Sequence, residues 1–560
     1  MNELLQAQAL FQQGKREKAK TLLQKLLKQQ PDHAEALRLL GYIAGSAGDY
    51  QSAAKHLARA LEHDPSSAEG WYYRAVALQH LGQHAKALDA FNEALRLYPN
   101  LFHARHDAGL SLSALQRFTE AVESFDMAIA LDPLSWSAYY NRGIALGCLG
   151  RHEEELISYD KALTANPDNA PVLGNRGVAL AMLGRHEEAL PCFERALQLD
   201  PHHPEVLSGY GATLVQLARY DEALAAQERA LKLKPNLAKA HFNRAQVLLV
   251  RGDFAQGWQA YEWRWKTPEF AAGWKASGKS RWTGQQALRG KSILLRAEQG
   301  LGDTIQFCRY APLVAGLGAE VILEVQPPLV SLLRSLNGVQ VIARGEELPD
   351  ADYECPLMSL PGVFHTDLTS LGDTVPYLAA DKAKAQYWKA RLGDRNRPRV
   401  GLVWNGGFRE NRPDLWSINA RRNISLRQIA TLNRADIAFF SLQKGEPAES
   451  ELREHGAELW PTDNLAVFTE ALRDFSDTAA LIANLDLVIS VDTSTAHLAG
   501  AMGKPVWILN RYDTCWRWFL DHSDSPWYPS ATLYRQPSMG DWDSVLDTVT
   551  ADLAKFAESA

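Results

Sequence analysis

The sequence predicts an α-helical solenoid followed by a parallel α/β region of two halves, and three observations carry that prediction. Proline recurs every 34 residues through the first part of the chain. The period stops after Pro268. Beyond it, short apolar runs alternate with helical stretches and end in glycine-rich or hydroxyl-rich turns.

The repeat comes first. Prolines at Pro31, Pro65, Pro99, Pro133, Pro167, Pro201 and Pro235 keep a spacing of 34. Ten residues after each stands a small residue: Gly41, Ala75, Gly109, Gly143, Gly177, Gly211 and Ala245. Twelve further come Ala53, Ala87, Ala121, Ala189 and Ala223, with Glu155 and Gly257 as exceptions. Small residues at two fixed positions allow the two helices of a repeat to cross closely. Phe91, Phe125, Tyr159 and Phe193 are expected to fill the space between neighbouring repeats. Each proline forbids continuation of the preceding helix. Residues 1–265 are therefore expected to form about eight hairpins stacked into a right-handed solenoid with a concave face.

Composition limits the partners. A chain of 560 residues holds two to four domains, and the part beyond the repeats suffices for two. A formal net charge of −7 argues against nucleic acid or an anionic membrane as the main partner. Five cysteines without a CxxC pair speak against structural zinc and fit a reducing cytoplasm. The opening "MNELLQAQALFQQGKREKAK" is amphipathic and repeat-like, not the pattern of a signal peptide, and no membrane span is expected. The expected location is cytoplasmic.

After a linker over 266–290, "GKSILLRAEQGLGDTIQFCRYAPLVAGLGAEVILEV" gives a strand, a turn, a helix from about Asp303 and a second strand. This opens a first α/β half over 291–385. A charged connector around Lys382 to Arg397 precedes a second half over 396–560, from "RPRVGLVWNGG" to "LDLVISVDTSTAHLAGAMGKPVWILN". Two such halves imply a cleft outside the carboxyl ends of the strands.

The turns at those ends carry the candidate chemistry. In "EQGLGDT", Gly300 and Gly302 admit a close ligand, and Asp303 either caps its helix or serves as a base. Ile305 stands in place of a third glycine, so this is no dinucleotide fingerprint. In the later turn Asp492 is followed by Thr493, Ser494 and Thr495 at a helix start, where amides, hydroxyls and the helix dipole would hold a diphosphate or merely cap the helix. His497, one turn inside, is expected to be a hydrogen-bonded core histidine. Asp541 and Asp543 mimic a metal-binding DxD but sit at a helix start and are expected to cap it; no metal is expected. Trp404, Trp416, Trp516, Trp518, Trp527, Tyr512 and Tyr528 crowd the last third, mostly as core, with one or two available to stack on a donor.

The period of 34 resembles the tetratricopeptide repeat. "GLGDT" and "DTSTAHLAGAMGKPVW" resemble the family 9 glycosyltransferases, the group of the bacterial heptosyltransferases, over roughly residues 290–550. That resemblance implies a GT-B fold of two Rossmann-like halves, with the acceptor on the first and a nucleotide sugar on the second. With "GDFAQGWQAYEWRW" and "SPWYP" the chain is similar to bacterial proteins that join tetratricopeptide repeats to such a transferase, flagellin glycosyltransferases among them. The resemblance implies Asp303 as the base and Gly302, Asp492, Thr493, Ser494 and Thr495 on the donor. The family usually has glycine where Ser494 stands. Arg422 in "ARRNISL" is the nearest match to a phosphate-binding basic residue, and Lys444 in "SLQKG" is a further donor candidate or a solvated lysine. The expected activity is transfer from a nucleotide sugar, a co-substrate with no further cofactor, to a hydroxyl of a protein or peptide held in the solenoid groove. Transfer to a lipid or polysaccharide acceptor and a non-catalytic scaffold are the alternatives.

The acceptor arm has its own pattern. Two residues before the small residue come Asn141, Asn175 and Asn243, with Asp107 earlier, and Arg142, Arg176 and Arg244 follow them. A column of amides offers donors and acceptors to the main chain of an extended peptide, or ties adjacent helices together. The solenoid of the O-GlcNAc transferases, which this arrangement resembles although the catalytic motifs differ, has an asparagine ladder at this register.

Overall fold

The computed structural model describes residues 2–273, 278–371, 374–407 and 416–559. The 34-residue period becomes sixteen helices, from Asn2–Gln12 to Phe254–Tyr261, paired into eight hairpins. From the second repeat to the seventh, a first helix of 13 residues such as Ala34–Ser46 precedes a second of 14 such as Tyr50–His63, whereas the eighth ends on a second helix of 8, Phe254–Tyr261. The residue that reverses the chain between them needs a positive φ, supplied by Gly48, Gly82, Gly150 and Gly184, while Gln116 (φ 59°) and Ala218 (φ 57°) adopt it without glycine.

The small residues act as expected, but their aromatic partners lie elsewhere. A Cβ on Gly109 would stand 2.6 Å from Phe125, and one on Gly177 2.9 Å from Phe193. Each ring therefore fills the crossing inside its own hairpin, because the second helix places it directly opposite the missing side chain. Adjacent first helices lie against one another more closely than adjacent second helices, so the first helices line the inner face of each stack.

The chain divides into two compact units between Pro201 and His202. The first holds six hairpins. The second holds the last two hairpins with the α/β region, because those hairpins pack on α/β elements as well as on each other.

The α/β region contains two sheets. The first consists of β1 (Ser280–Arg281), β2 (Ser292–Arg296), β3 (Glu320–Val325), β4 (Val339–Ala343) and β5 (Tyr353–Pro356), in the order β1-β5-β2-β3-β4. The second consists of β6 (Arg399–Val403), β7 (Ala438–Ser441), β8 (Leu465–Val467), β9 (Leu487–Val491), β10 (Val506–Asn510) and β11 (Ala531–Arg535), in the order β11-β10-β9-β6-β7-β8. Every pairing is parallel. The stretch expected as a linker thus contributes the edge strand β1. Buried Val400, Leu402, Ile489 and Val491 face Trp542, Val545 and Val549 of the last helix in the core of the second sheet. Helices Leu301–Phe307 and Ser494–Ala501 start outside the carboxyl ends of β2 and β9 and pack on each other, which brings the two predicted turns together.

Candidate active site

Asp303 occupies the third position of its helix. Its Oδ2 accepts from the Gly300 N–H at 2.7 Å, the reciprocal half of a capping box. Its Oδ1 pairs with Arg517, which arrives from beyond β10. Arg517 also donates to Gln306 Oε1 (2.8 Å) and lies 4.2 Å from the centre of the Trp516 ring. Burial opposes the guanidinium charge, but the Asp303 carboxylate together with Cys515 and Tyr261 outweighs it and holds the Arg517 pKa above its ordinary value. Both readings of Asp303 are therefore compatible: it caps, and two bonds aim its remaining lone pairs.

Gly302 has a packing duty. A Cβ there would stand 2.8 Å from His497 Cδ2, so glycine permits the close approach of the two turn helices. His497 is buried, shares a proton with the Tyr528 hydroxyl through Nδ1 (2.9 Å) and stacks on Trp518. Burial lowers its pKa to about 4 against the pull of Asp492, whose carboxylate lies 3.9 Å from Nε2. It is neutral at physiological pH.

The second turn is built from its own residues. Buried Thr493 caps the helix by accepting from the Ala496 N–H, and its hydroxyl meets Ser490 Oγ at 2.8 Å. That hydroxyl is committed to the fold. Thr495 is buried, whereas Asp492 and Ser494 are half-buried. Arg422 is drawn to the same place: it donates to the Asp492 carbonyl (3.2 Å) and to Asn419 Oδ1 (2.8 Å), and a Cβ on Gly406 would run into it. A guanidinium between the ends of β6 and β9, beside a helix N-terminus, is the chemistry of an anion site. Lys444 goes elsewhere, donating to the carbonyls of Thr469 (3.1 Å) and Leu472 (2.6 Å) at the end of β7. Residues 408–415 of the long loop before Arg422, and the side chain of Trp416, lie outside the described residues.

Trp404, Trp518, Trp527 and Tyr528 are wholly buried, whereas Tyr512 is 38 % exposed. Asp541 accepts from the Ser544 N–H (3.1 Å) and caps the last helix.

In the solenoid the amide column ties neighbouring first helices. Asn141 bonds His106 (3.0 Å), Asn175 donates to the Tyr140 hydroxyl (3.3 Å), and buried Asn243 donates to Ser208 (3.4 Å), always 35 residues back. The arginines brace second helices: Arg142 joins Asp126 to Ser158, and Arg176 joins Asp160 to Cys192. Arg244 donates to Gln256 (2.8 Å).

Fold and site define a helical-repeat protein whose α/β region brings two strand-end turns, one carrying Asp303 and one carrying Thr493 beside Arg422, against each other. Comparisons with known proteins agree. Tetratricopeptide repeats match at 4–45, 42–101, 106–170, 168–236 and 211–262. The family described as glycosyltransferase family 9 (heptosyltransferase) matches residues 426–533, a span that holds the 492–495 turn and Arg517 but neither Asp303 nor Arg422. The chain thus joins tetratricopeptide repeats to a family 9 glycosyltransferase domain. Protein FlbA of Caulobacter vibrioides is 31 % identical over an alignment of 355 positions that covers 58 % of this chain and 56 % of FlbA, so the chain spans about half the length of that curated relative. Among solved structures, MamA is 25 % identical over 29 % of this chain and 94 % of its own, with a TM-score of 0.28. YrrB, described as a TPR protein with an unusual peptide-binding site, is 23 % identical over 33 % and 96 %, with a TM-score of 0.30.

Sequence reasoning missed Arg517. Its partnership with Asp303 joins residues 214 apart, and no local pattern announces it.

Proposed function

We propose that the protein is a glycosyltransferase that moves a sugar from a nucleotide-sugar donor to a hydroxyl of a polypeptide held by the repeats. The family 9 match carries this reading. The facing turns support it, since displacing a nucleotide from an anomeric carbon requires a base for the acceptor proton and neutralisation of the leaving phosphate. Asp303 is the candidate for the first task; Arg422 with the free amides at Ser494–Ala501 is the candidate for the second. The inner-face amides support a polypeptide acceptor. Among the described residues, Asn141 spends one amide hydrogen sideways on His106, which leaves its carbonyl and a second N–H for a main chain in the groove, while Asn175 is engaged by both Tyr140 and Tyr159 and offers its carbonyl.

One experiment tests both halves of the reading. Nucleotide release and sugar incorporation into polypeptides are measured with UDP-, GDP-, ADP- and CMP-linked sugars. Asp303→Asn should lower transfer by about a hundredfold or more while donor-induced thermal shifts persist. Asn141→Ala with Asn175→Ala should lower polypeptide transfer and spare donor hydrolysis; Asn243 is left alone because it is buried on Ser208. Transfer untouched by Asp303→Asn removes the base assignment, and equal loss of both activities in the asparagine variant removes the acceptor arm.

A further inference from the structure

The eighth repeat departs from its predecessors where its second helix ends, at Tyr261, and passes into a 3-10 turn, Glu262–Lys266. One register of the second helix holds Leu26 in the first repeat and Ala60, Ala94, Ala128, Ala162, Ala196 and Ala230 in the next six, all buried. Its next occurrence, 34 residues on, is Arg264, whose side chain is 0 % exposed. A guanidinium has replaced a methyl group in a dry place. Burying a charge costs several kcal/mol unless geometry and hydrogen bonds are complete. Here they are complete. Arg264 forks onto Glu298 at 2.8 and 3.0 Å through Nη2, with Nε 3.3 Å away, and donates to Glu262 Oε1 (2.8 Å), the Tyr261 carbonyl (3.2 Å) and Ser359 Oγ (2.9 Å). Glu298, 2 % exposed, also accepts from the Met358 N–H at 3.1 Å.

Two further residues share that face at helical spacing. Tyr261 takes a hydrogen bond from Gln299 Nε2 at 2.8 Å. Trp258 donates to the Thr366 carbonyl (3.2 Å), and its ring lies 5.4 Å from that of Trp516, next to Arg517. Glu298 and Gln299 are the two residues before Gly300, whose N–H holds Asp303. The Gln299 carbonyl is held in turn by Gln326 Nε2 (2.8 Å), and Gln326 Oε1 accepts from Thr304 (2.9 Å). A continuous set of bonds thus runs from the last repeat to the acidic turn. An apolar pair of similar volume often replaces a buried ion pair at little cost in stability, but it would not dictate where the backbone at 298 lies.

We propose that Arg264 and Tyr261 are positioning residues: the eighth repeat sets the geometry of the turn that carries Asp303, so the end of the solenoid is a built part of the transferase site. This rests on the reading of the turn as the site of transfer. The decisive variant is Arg264→Met with Glu298→Met, which removes both charges together. In the full-length protein, backbone amide exchange across 297–303 should quicken about tenfold, read by mass spectrometry, with protection of β9 unchanged. Nucleotide release from whichever UDP-, GDP-, ADP- or CMP-linked sugar the wild type turns over should lose about ten- to hundredfold in kcat, with KM within about threefold. Tyr261→Phe should show both effects at about threefold, and it carries the test alone if the double variant does not fold. Unchanged exchange across the turn overturns the proposal whatever the turnover does, and so does faster exchange with wild-type turnover where Asp303→Asn is inactive. Wild-type turnover by Asp303→Asn strikes the base assignment instead, and the exchange result then decides the positioning role by itself.

Discussion

The two turns that meet in the α/β region are built on different plans. The 492–495 turn holds itself together: Thr493 caps its own helix and bonds Ser490 on its own strand, and His497 one turn later is fixed by Tyr528. The Asp303 turn closes on Gly300, whose N–H holds Asp303 and whose carbonyl accepts from Thr304, and it also takes bonds from distant residues: Arg264 and Tyr261 from the last repeat, Gln326 from beyond β3, and Arg517 from the other half. A turn whose bonds are mostly local can be specified by a strand end and a helix cap. A turn whose carboxylate is held by residues from several elements takes its coordinates from all of them.

This contrast can be broken by substitution. The largest effect should come from Arg264→Met alone, which leaves Glu298 buried without its partner and should cost about 3–5 kcal/mol of stability. Chemical denaturation of the full chain measures it, and a loss below about 1 kcal/mol would mean that the first turn is as self-sufficient as the second. The next effect depends on pH. His497 titrates near 4 in the folded protein against an ordinary 6.5, so between those values the unfolded chain binds a proton that the folded chain refuses. Stability linked to His497 is therefore whole above about pH 6.5 and is lost as pH falls toward 4, by at most about 3 kcal/mol. His497→Asn should flatten that part of the melting-temperature profile; an unchanged slope would place the titration in another group. The smallest effect belongs to Thr493→Val, which should cost about 1 kcal/mol through loss of the cap while nucleoside diphosphate binding, read by calorimetry, changes little. A large loss of affinity with normal stability would show that the Thr493 hydroxyl serves the ligand and not the helix.

Legibility in the sequence followed the range of the interactions. The repeats could be placed to within a few residues because proline, a small residue and a turn glycine recur at fixed offsets, and each acts on its near neighbours. The strands were visible as apolar runs, and the turns at β2 and β9 as breaks in them. The sequence also holds one signal of the contact between the last repeat and the acidic turn: Arg264 interrupts a register of six alanines. Other duties could not be seen. Lys444 is tied to carbonyls at Thr469 and Leu472, and Trp518 and Trp527 are wholly buried, although both kinds of residue sit at strand ends where a ligand contact is the natural expectation. The asparagines of the inner face tie one first helix to the next, one of the two roles their register allowed, and the 35-residue offset that closes in space decides that this bond forms.

By itself the sequence determined the helical hairpins, the two parallel sheets and the positions of Asp303 and the 492–495 turn, because periodicity, apolar runs and helix-start chemistry act over a few residues. Only the tertiary structure decided that the last two hairpins belong with the α/β region, that Gly302 serves a helix contact, and that Asp303 is held by Arg517. These outcomes depend on which surfaces meet. A buried charge must find its counter-charge wherever the fold brings one, and sequence spacing carries no record of that encounter.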